Sequence, residues 1–121
     1  MIFSLNKWLI FILGDDNVKK LHAEVEKAKS IALATPDKGI CAILNGMKGR
    51  PDRCNLLIDD KVPLLIIAGR KDNYIPYEMM DKIKQIGTNL EVKTLENSGH
   101  MGFVEEPEES CRILSDFLRK H

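Results

Sequence analysis

Val62-Pro63-Leu64-Leu65-Ile66-Ile67-Ala68-Gly69-Arg70-Lys71-Asp72 is the stretch on which the fold turns. A continuous apolar run rich in strand formers, closed by Gly69, suits a strand buried on both faces of a parallel sheet. A polar loop follows, Arg70 to Pro76. Met79, Met80, Ile83 and Ile86 then recur at helical spacing, and Gly87 is a stop signal. Leu90, Val92 and Thr94 alternate with Glu91, Lys93 and Leu95, the pattern of a more exposed strand near a sheet edge. The loop from Glu96 to Glu106 holds Gly99, His100 and Gly102. Pro107 opens a last helix, with Cys111, Leu114, Phe117 and Leu118 as its apolar stripe. Strand–helix–strand–helix order predicts a parallel, right-handed α/β arrangement. Two strands make no stable open sheet by themselves, so the expectation is part of a larger sheet.

Upstream of that stretch the sequence reads as helices. Asp15 or Asp16 can cap a helix running to about Leu33, with Leu21, Val25 and Ala28 as its apolar stripe. Thr35-Pro36-Asp37 reads as the next start: an N-cap, a proline at the first helical position, and an acid near the positive end of the dipole. Ile40, Ala42, Ile43, Leu44 and Met47 supply that helix's apolar side, and Gly46, Gly49 and Pro51 end it. The first stretch, Met1 to Leu13, is apolar but broken by Asn6 and Lys7. It is too short to span a bilayer and lacks the positive start of a signal peptide. It reads as an amphipathic segment that needs a cover.

The chain has 121 residues, 18 of them Lys or Arg and 18 Asp or Glu, for a net charge of zero. A nucleic-acid binder normally shows a basic excess, so that class is set aside. A hydrophobic share of 44% fits a globular protein. Cys41, Cys54 and Cys111 are odd in number, with no CxxC. They are read as small apolar filler in a reducing cytoplasm, without disulfides.

Asp72 follows the end of the first strand, and His100 lies in the loop after the second. Open α/β sheets bind ligands outside the carboxyl ends of their strands, so neighbouring parallel strands bring this carboxylate and imidazole to one rim. There the carboxylate can set the tautomer of the imidazole and stabilise its charged form, as a general base requires. The plainer reading is a solvated Asp and an ordinary loop His. Elsewhere the plain reading prevails. His22 faces a charged surface, His121 is terminal, and Lys19-Lys20 belong to a solvated face. Met79-Met80 reads as core. Asp72, His100 and the Glu105–Glu106 pair lack the HxxxH or HxH spacing of a metal site, so no metal is expected.

The wording around these two residues resembles the α/β-hydrolase family. Val62 to Pro76 is similar to that family's acid-bearing strand and loop: proline, apolar strand, glycine, two residues, Asp, then proline. Asn97-Ser98-Gly99-His100-Met101-Gly102-Phe103-Val104-Glu105-Glu106-Pro107-Glu108 resembles its histidine loop and closing helix. The order, acid before His, agrees with the family's Ser…Asp/Glu…His. Ile31 to Pro36, Ile43 to Met47 and Arg50 to Arg53 resemble the end of a helical cap and its connection into the acid strand. The resemblance implies an α/β fold: the C-terminal portion of a hydrolase sheet, two parallel strands with helices, plus a helical cap segment. Residues 1–50 would be cap, with Ile2 to Leu13 helping to cover an acyl or alkyl pocket, and residues 51–121 core. Asp72 would be the triad acid and His100 the base.

The sequence departs from that family's pattern: the nucleophile elbow, the strands of the sheet centre and the glycine-rich oxyanion loop are not found in it. None of Ser4, Ser30, Ser98, Ser110 and Ser115 sits in G-x-S-x-G, the strand-to-helix turn that carries the nucleophile and half of the oxyanion hole. Gly39-Ile40-Cys41 is a partial cysteine version in which Ile43 replaces the second glycine, and Gly14-Asp15-Asp16 after the run Trp8 to Leu13 mimics a strand followed by an Asp nucleophile, although helix capping explains Asp15 and Asp16 more simply. The chain therefore reads as a truncated hydrolase, inactive by itself, whose complete protein would hydrolyse a small ester, thioester or similar carbonyl substrate without a cofactor. The alternative is a non-catalytic module that binds a small molecule or partner. An unpaired sheet edge invites self-association in either case. No membrane partner is expected.

Overall fold

A computed structural model describes residues 12–58 and 61–121. Two six-residue strands, β1 (Leu64–Gly69) and β2 (Leu90–Leu95), pair in parallel, with Leu64 opposite Leu90 and Gly69 opposite Leu95. Helices α1 (Asn17–Lys20), α2 (His22–Ala34), α3 (Asp37–Lys48) and α4 (Asn55–Ile58) precede β1. Helix α5 (Glu78–Ile83) joins the strands, and α6 (Gly102–Glu105) and α7 (Pro107–Lys120) follow β2. This is the strand–helix–strand–helix order expected, with Pro107 at the first turn of α7. Most of the Ile2 to Leu13 segment lies outside the described residues; of it, Leu13 is buried. No helix among the described residues is long and apolar enough to cross a membrane.

The core is small. Leu13, Val25, Met80, Leu95 and Ile113 are its buried apolar side chains. Val25 lies on the stripe expected for α2, with Leu21 and Ala28 half-buried beside it. In α7 the packed side differs from the expected stripe. Ile113 is buried and Phe117 half-buried, whereas Cys111, Leu114 and Leu118 face outward. A helix has two ways to present its apolar residues, and the sheet took the side on which Ile113 sits.

Several other expectations are corrected. Strand β1 is half-buried rather than covered on both faces, and Ile67 is exposed. Its only strand partner among the described residues is β2. All three cysteines are exposed instead of filling the core. Met80 is buried but Met79 is exposed, because successive helical residues point about 100° apart. Thr35 does not cap α3. Its hydroxyl donates to the Ile31 carbonyl at 2.8 Å, closing α2, and Pro36 takes the N-cap position. Asp16 occupies the N-cap position of α1 without capping it; its carboxylate accepts from Lys71 Nζ at 2.9 Å instead. Terminal His121 packs on Phe117 at 4.8 Å between ring centroids.

Candidate active site

Parallel pairing runs past the strand ends and ties two loops together. The Arg70 amide donates to the Leu95 carbonyl, and the Lys71 amide to the Ser98 carbonyl, both at 2.9 Å. Side chains brace the same corner. The Arg70 guanidinium makes two 3.1 Å hydrogen bonds to Glu96 and lies 3.8 Å over the Tyr77 ring. Tyr77 Oη in turn meets Thr94 Oγ1 at 2.5 Å. The Arg70 hydrogen bonds and charge hold the Glu96 carboxyl below the ordinary glutamate value.

Close approach is what Gly69 permits. A Cβ there would stand 1.9 Å from the Gly99 carbonyl oxygen and 2.5 Å from that of Ser98. Only hydrogen fits between the end of β1 and the histidine loop. The loop is therefore seated directly on the strand end, and Ser98 is fully buried. Its hydroxyl donates to Glu106 Oε2 at 2.6 Å, and the Asn97 amide donates to the same oxygen at 2.9 Å.

Asp72 and His100 meet on this base. His100 Nδ1 is 2.8 Å from Asp72 Oδ2. The other oxygen, Oδ1, accepts the amides of Tyr74 at 2.7 Å and Ile75 at 2.8 Å. The loop thus wraps its own acid and aims the remaining oxygen at the ring. A carboxylate only accepts hydrogen bonds, so this contact favours the ring tautomer with the hydrogen on Nδ1. Nε2 has no hydrogen-bond partner among the described residues. The Asp72 side chain is 9% exposed and that of His100 is 36% exposed, so the carboxylate is the more deeply buried of the two. Tyr74 touches the edge of the His100 ring at 5.3 Å between centroids. A cleft of about 160 Å³ opens beside the pair, lined by Gly69, Ile75, Tyr77 and Met80 among others.

The segment from Ile12 to Asn17 crosses both loops. The His100 amide donates to the Ile12 carbonyl at 2.7 Å, and Asn73 Nδ2 donates to Asp15 Oδ1 at 3.1 Å. Against its far side lies an apolar cleft of about 420 Å³ between Leu13, Val25, Ile31, Phe103 and Val104.

The chain matches the α/β-hydrolase fold family over residues 5–107. It belongs to that family. Its fold superposes on a thermophilic esterase from Thermogutta terrifontis with a TM-score of 0.89, over 98% of this chain and 44% of that one, at 24% identity. By sequence it is 36% identical over 58 residues to monoacylglycerol lipase ABHD6 of Rattus norvegicus. It is 37% identical over 57 residues to the AB hydrolase superfamily protein YisY of Bacillus subtilis. Those stretches cover 48% and 47% of this chain, but only 17% and 21% of the two relatives. The resemblance read from the acid and histidine motifs is thus a family relationship, and the two parallel strands with flanking helices are part of that family's sheet.

The sequence placed Asp72 and His100 on one rim, and the structure brings them into contact. Cys41 and Asp15 are not brought into the pair's hydrogen bonds: Cys41 is exposed on α3 and the Asp15 carboxylate accepts from Asn73. Three supporting residues escaped the sequence reading. Arg70 reads as loop polarity, Asn17 as a helix residue, and Glu105 as part of the histidine-loop motif and a rejected metal ligand, not as a support of that loop. The position of Glu105, at the end of the short helix α6 that follows His100, was the available signal.

Proposed function

We propose that Asp72 and His100 are the acid–base half of a Ser-His-Asp triad, and that the complete protein hydrolyses a small ester, thioester or related carbonyl compound. The observation that carries this reading is the 2.8 Å bond between Asp72 Oδ2 and His100 Nδ1, which leaves Nε2 as the ring nitrogen able to take a proton. A serine hydroxyl from polypeptide outside these residues would give its proton to Nε2 as its oxygen bonds to the substrate carbonyl carbon. The tetrahedral oxyanion then collapses, the leaving oxygen or sulfur takes the proton from Nε2, and an acyl-serine remains. Water repeats the cycle: Nε2 takes its proton, its oxygen bonds to the acyl carbon, and the serine oxygen leaves with that proton. Asp72 stabilises the imidazolium in both halves. Residues 1–50 serve as cap over a core of 51–121, and the apolar cleft beside Phe103 is suited to an alkyl or acyl group. No cofactor enters these steps, and three free thiols suit a cytoplasmic setting.

Alone, the chain has no G-x-S-x-G serine, and each missing oxyanion donor is worth about 3–4 kcal/mol. The test is therefore a chimera in which these 121 residues replace the structurally equivalent 44% of the Thermogutta esterase. Hydrolysis of p-nitrophenyl acetate is expected, with His100→Ala lowering kcat by about 10⁴-fold or more and Asp72→Asn by about 10⁴-fold. A folded chimera without activity, or activity indifferent to His100→Ala, would overturn the assignment.

A second reading rests on the exposed apolar side chains of α3 and the edge of β1 that has no strand partner among the described residues. It is a non-catalytic module that binds a small molecule or partner through these surfaces, or self-associates. Size-exclusion chromatography separates the two. A compact, cooperatively melting monomer or dimer that binds and does not catalyse in the chimera supports the module.

A further inference from the structure

Beyond the pair itself, one carboxylate gathers the loop around His100. Glu105, on the short helix α6, accepts four N–H donors. Oε1 takes the Gly99 amide at 2.9 Å and the Met101 amide at 3.1 Å. Oε2 takes the Gly14 amide at 2.8 Å and Asn17 Nδ2 at 2.6 Å. The first two donors flank His100 on either side. The amide of His100 itself is held by the Ile12 carbonyl, in the segment that Oε2 grips. Asn17, which is buried, closes the ring by donating also to the Asn97 carbonyl at 2.6 Å. All three amides around the imidazole are thus set by one side chain and the strand of chain it anchors.

We propose that Glu105 is the positioning residue that keeps His100 in register with Asp72. It touches neither the imidazole nor any reacting atom, so it acts through the backbone. The charge matters because all four partners are donors. A glutamine in its place offers one oxygen and turns an NH₂ toward two N–H groups. Gly99 makes the arrangement compact: a Cβ there would stand 2.5 Å from the Gly14 nitrogen. The neighbouring Glu106 provides the contrast. Its bonds go to Asn97 and Ser98 and stop short of the amides beside His100. The catalytic consequence rests on the acid–base reading above, but the geometry does not.

The test needs neither substrate nor nucleophile. Nitrogen-15 NMR of the 121-residue chain reads the His100 tautomer and the Nδ1–H bonded to Asp72. Glu105→Gln should stay folded by circular dichroism, lose most of the Nδ1–H population, and speed exchange of the Gly99 and Met101 amides about 10- to 100-fold, as loss of a charge-assisted bond implies. Glu106→Gln should leave the His100 tautomer as in wild type. An unchanged tautomer in Glu105→Gln overturns the proposal, and so does an equal change in both variants. If Glu105→Gln does not fold, the wild-type amides decide. Slow exchange at both Gly99 and Met101 supports the clamp, and exchange at the rate of free peptide refutes it. Absence of the Nδ1–H bond in wild type would instead strike the proposed function.

Discussion

The rim of the sheet and helix α3 are opposite solutions to the same shortage of core. At the rim, two loops and the segment crossing them satisfy one another's polar groups, and Leu95 and Ser98 beneath them are 1% and 0% exposed. Along α3 no residue is buried, and Ile43 and Leu44 are 63% and 58% exposed. The rim is held by hydrogen bonds among its own loops and the segment that crosses them. Helix α3 carries an apolar face with nothing described against it, so its place depends on a surface that the described residues do not supply. The Asp72–His100 pair can therefore be assembled in this chain while the surface that α3 needs is not among the described residues.

Substitutions at the two regions should separate them. The largest effect is expected for Gly69→Ala, whose methyl would collide with the Gly99 carbonyl at 1.9 Å. Backbone cannot yield as a side chain can, and thermal unfolding should report a loss above about 3 kcal/mol. Leu95→Ala should follow, at about 2–5 kcal/mol by urea denaturation, the range for truncating a buried leucine. Leu44→Ala in α3 should cost under about 0.5 kcal/mol. If Leu95→Ala and Leu44→Ala cost the same, the contrast between the regions fails.

Placing lysines at Ile43 and Leu44 together should leave the melting temperature unchanged and reduce self-association in sedimentation velocity. A fall in melting temperature would mean that the face is covered. The smallest effect belongs to Asp16→Asn. The hydrogen bond and charge of Lys71 hold the Asp16 carboxyl below its ordinary value. A lowered carboxyl adds stability above the unfolded value and loses it as pH falls through the folded one. Because the pair is solvent-exposed, the difference at pH 7 should be close to measurement error, and wild type and variant should converge in acid.

How much was legible follows from the range of each interaction. Periodicity and turn residues are local, so β1, β2, the helix between them and the proline-started α7 could be read from the chain. So could the pairing of Asp72 with His100, because parallel strands send both following loops to one rim. Faces were less legible. The stripe of α7 was read one register off, Thr35 was assigned a cap it does not make, and the cysteines were given a core that does not cover them. Those errors share a cause. An apolar residue states that it needs cover, but which side receives it is set by the neighbours present.

By itself, then, the sequence determined the parallel strand–helix order, the chain's family and the two side chains that meet at the strand ends, because each is encoded in contiguous residues. Only the tertiary structure decided what holds them: Gly69 against Gly99, Arg70 on Tyr77, and Glu105 accepting the amide of a residue 91 positions before it. Hydrogen bonds of such separation leave no periodic trace in a sequence. They exist only once the chain has brought their donors to a single acceptor.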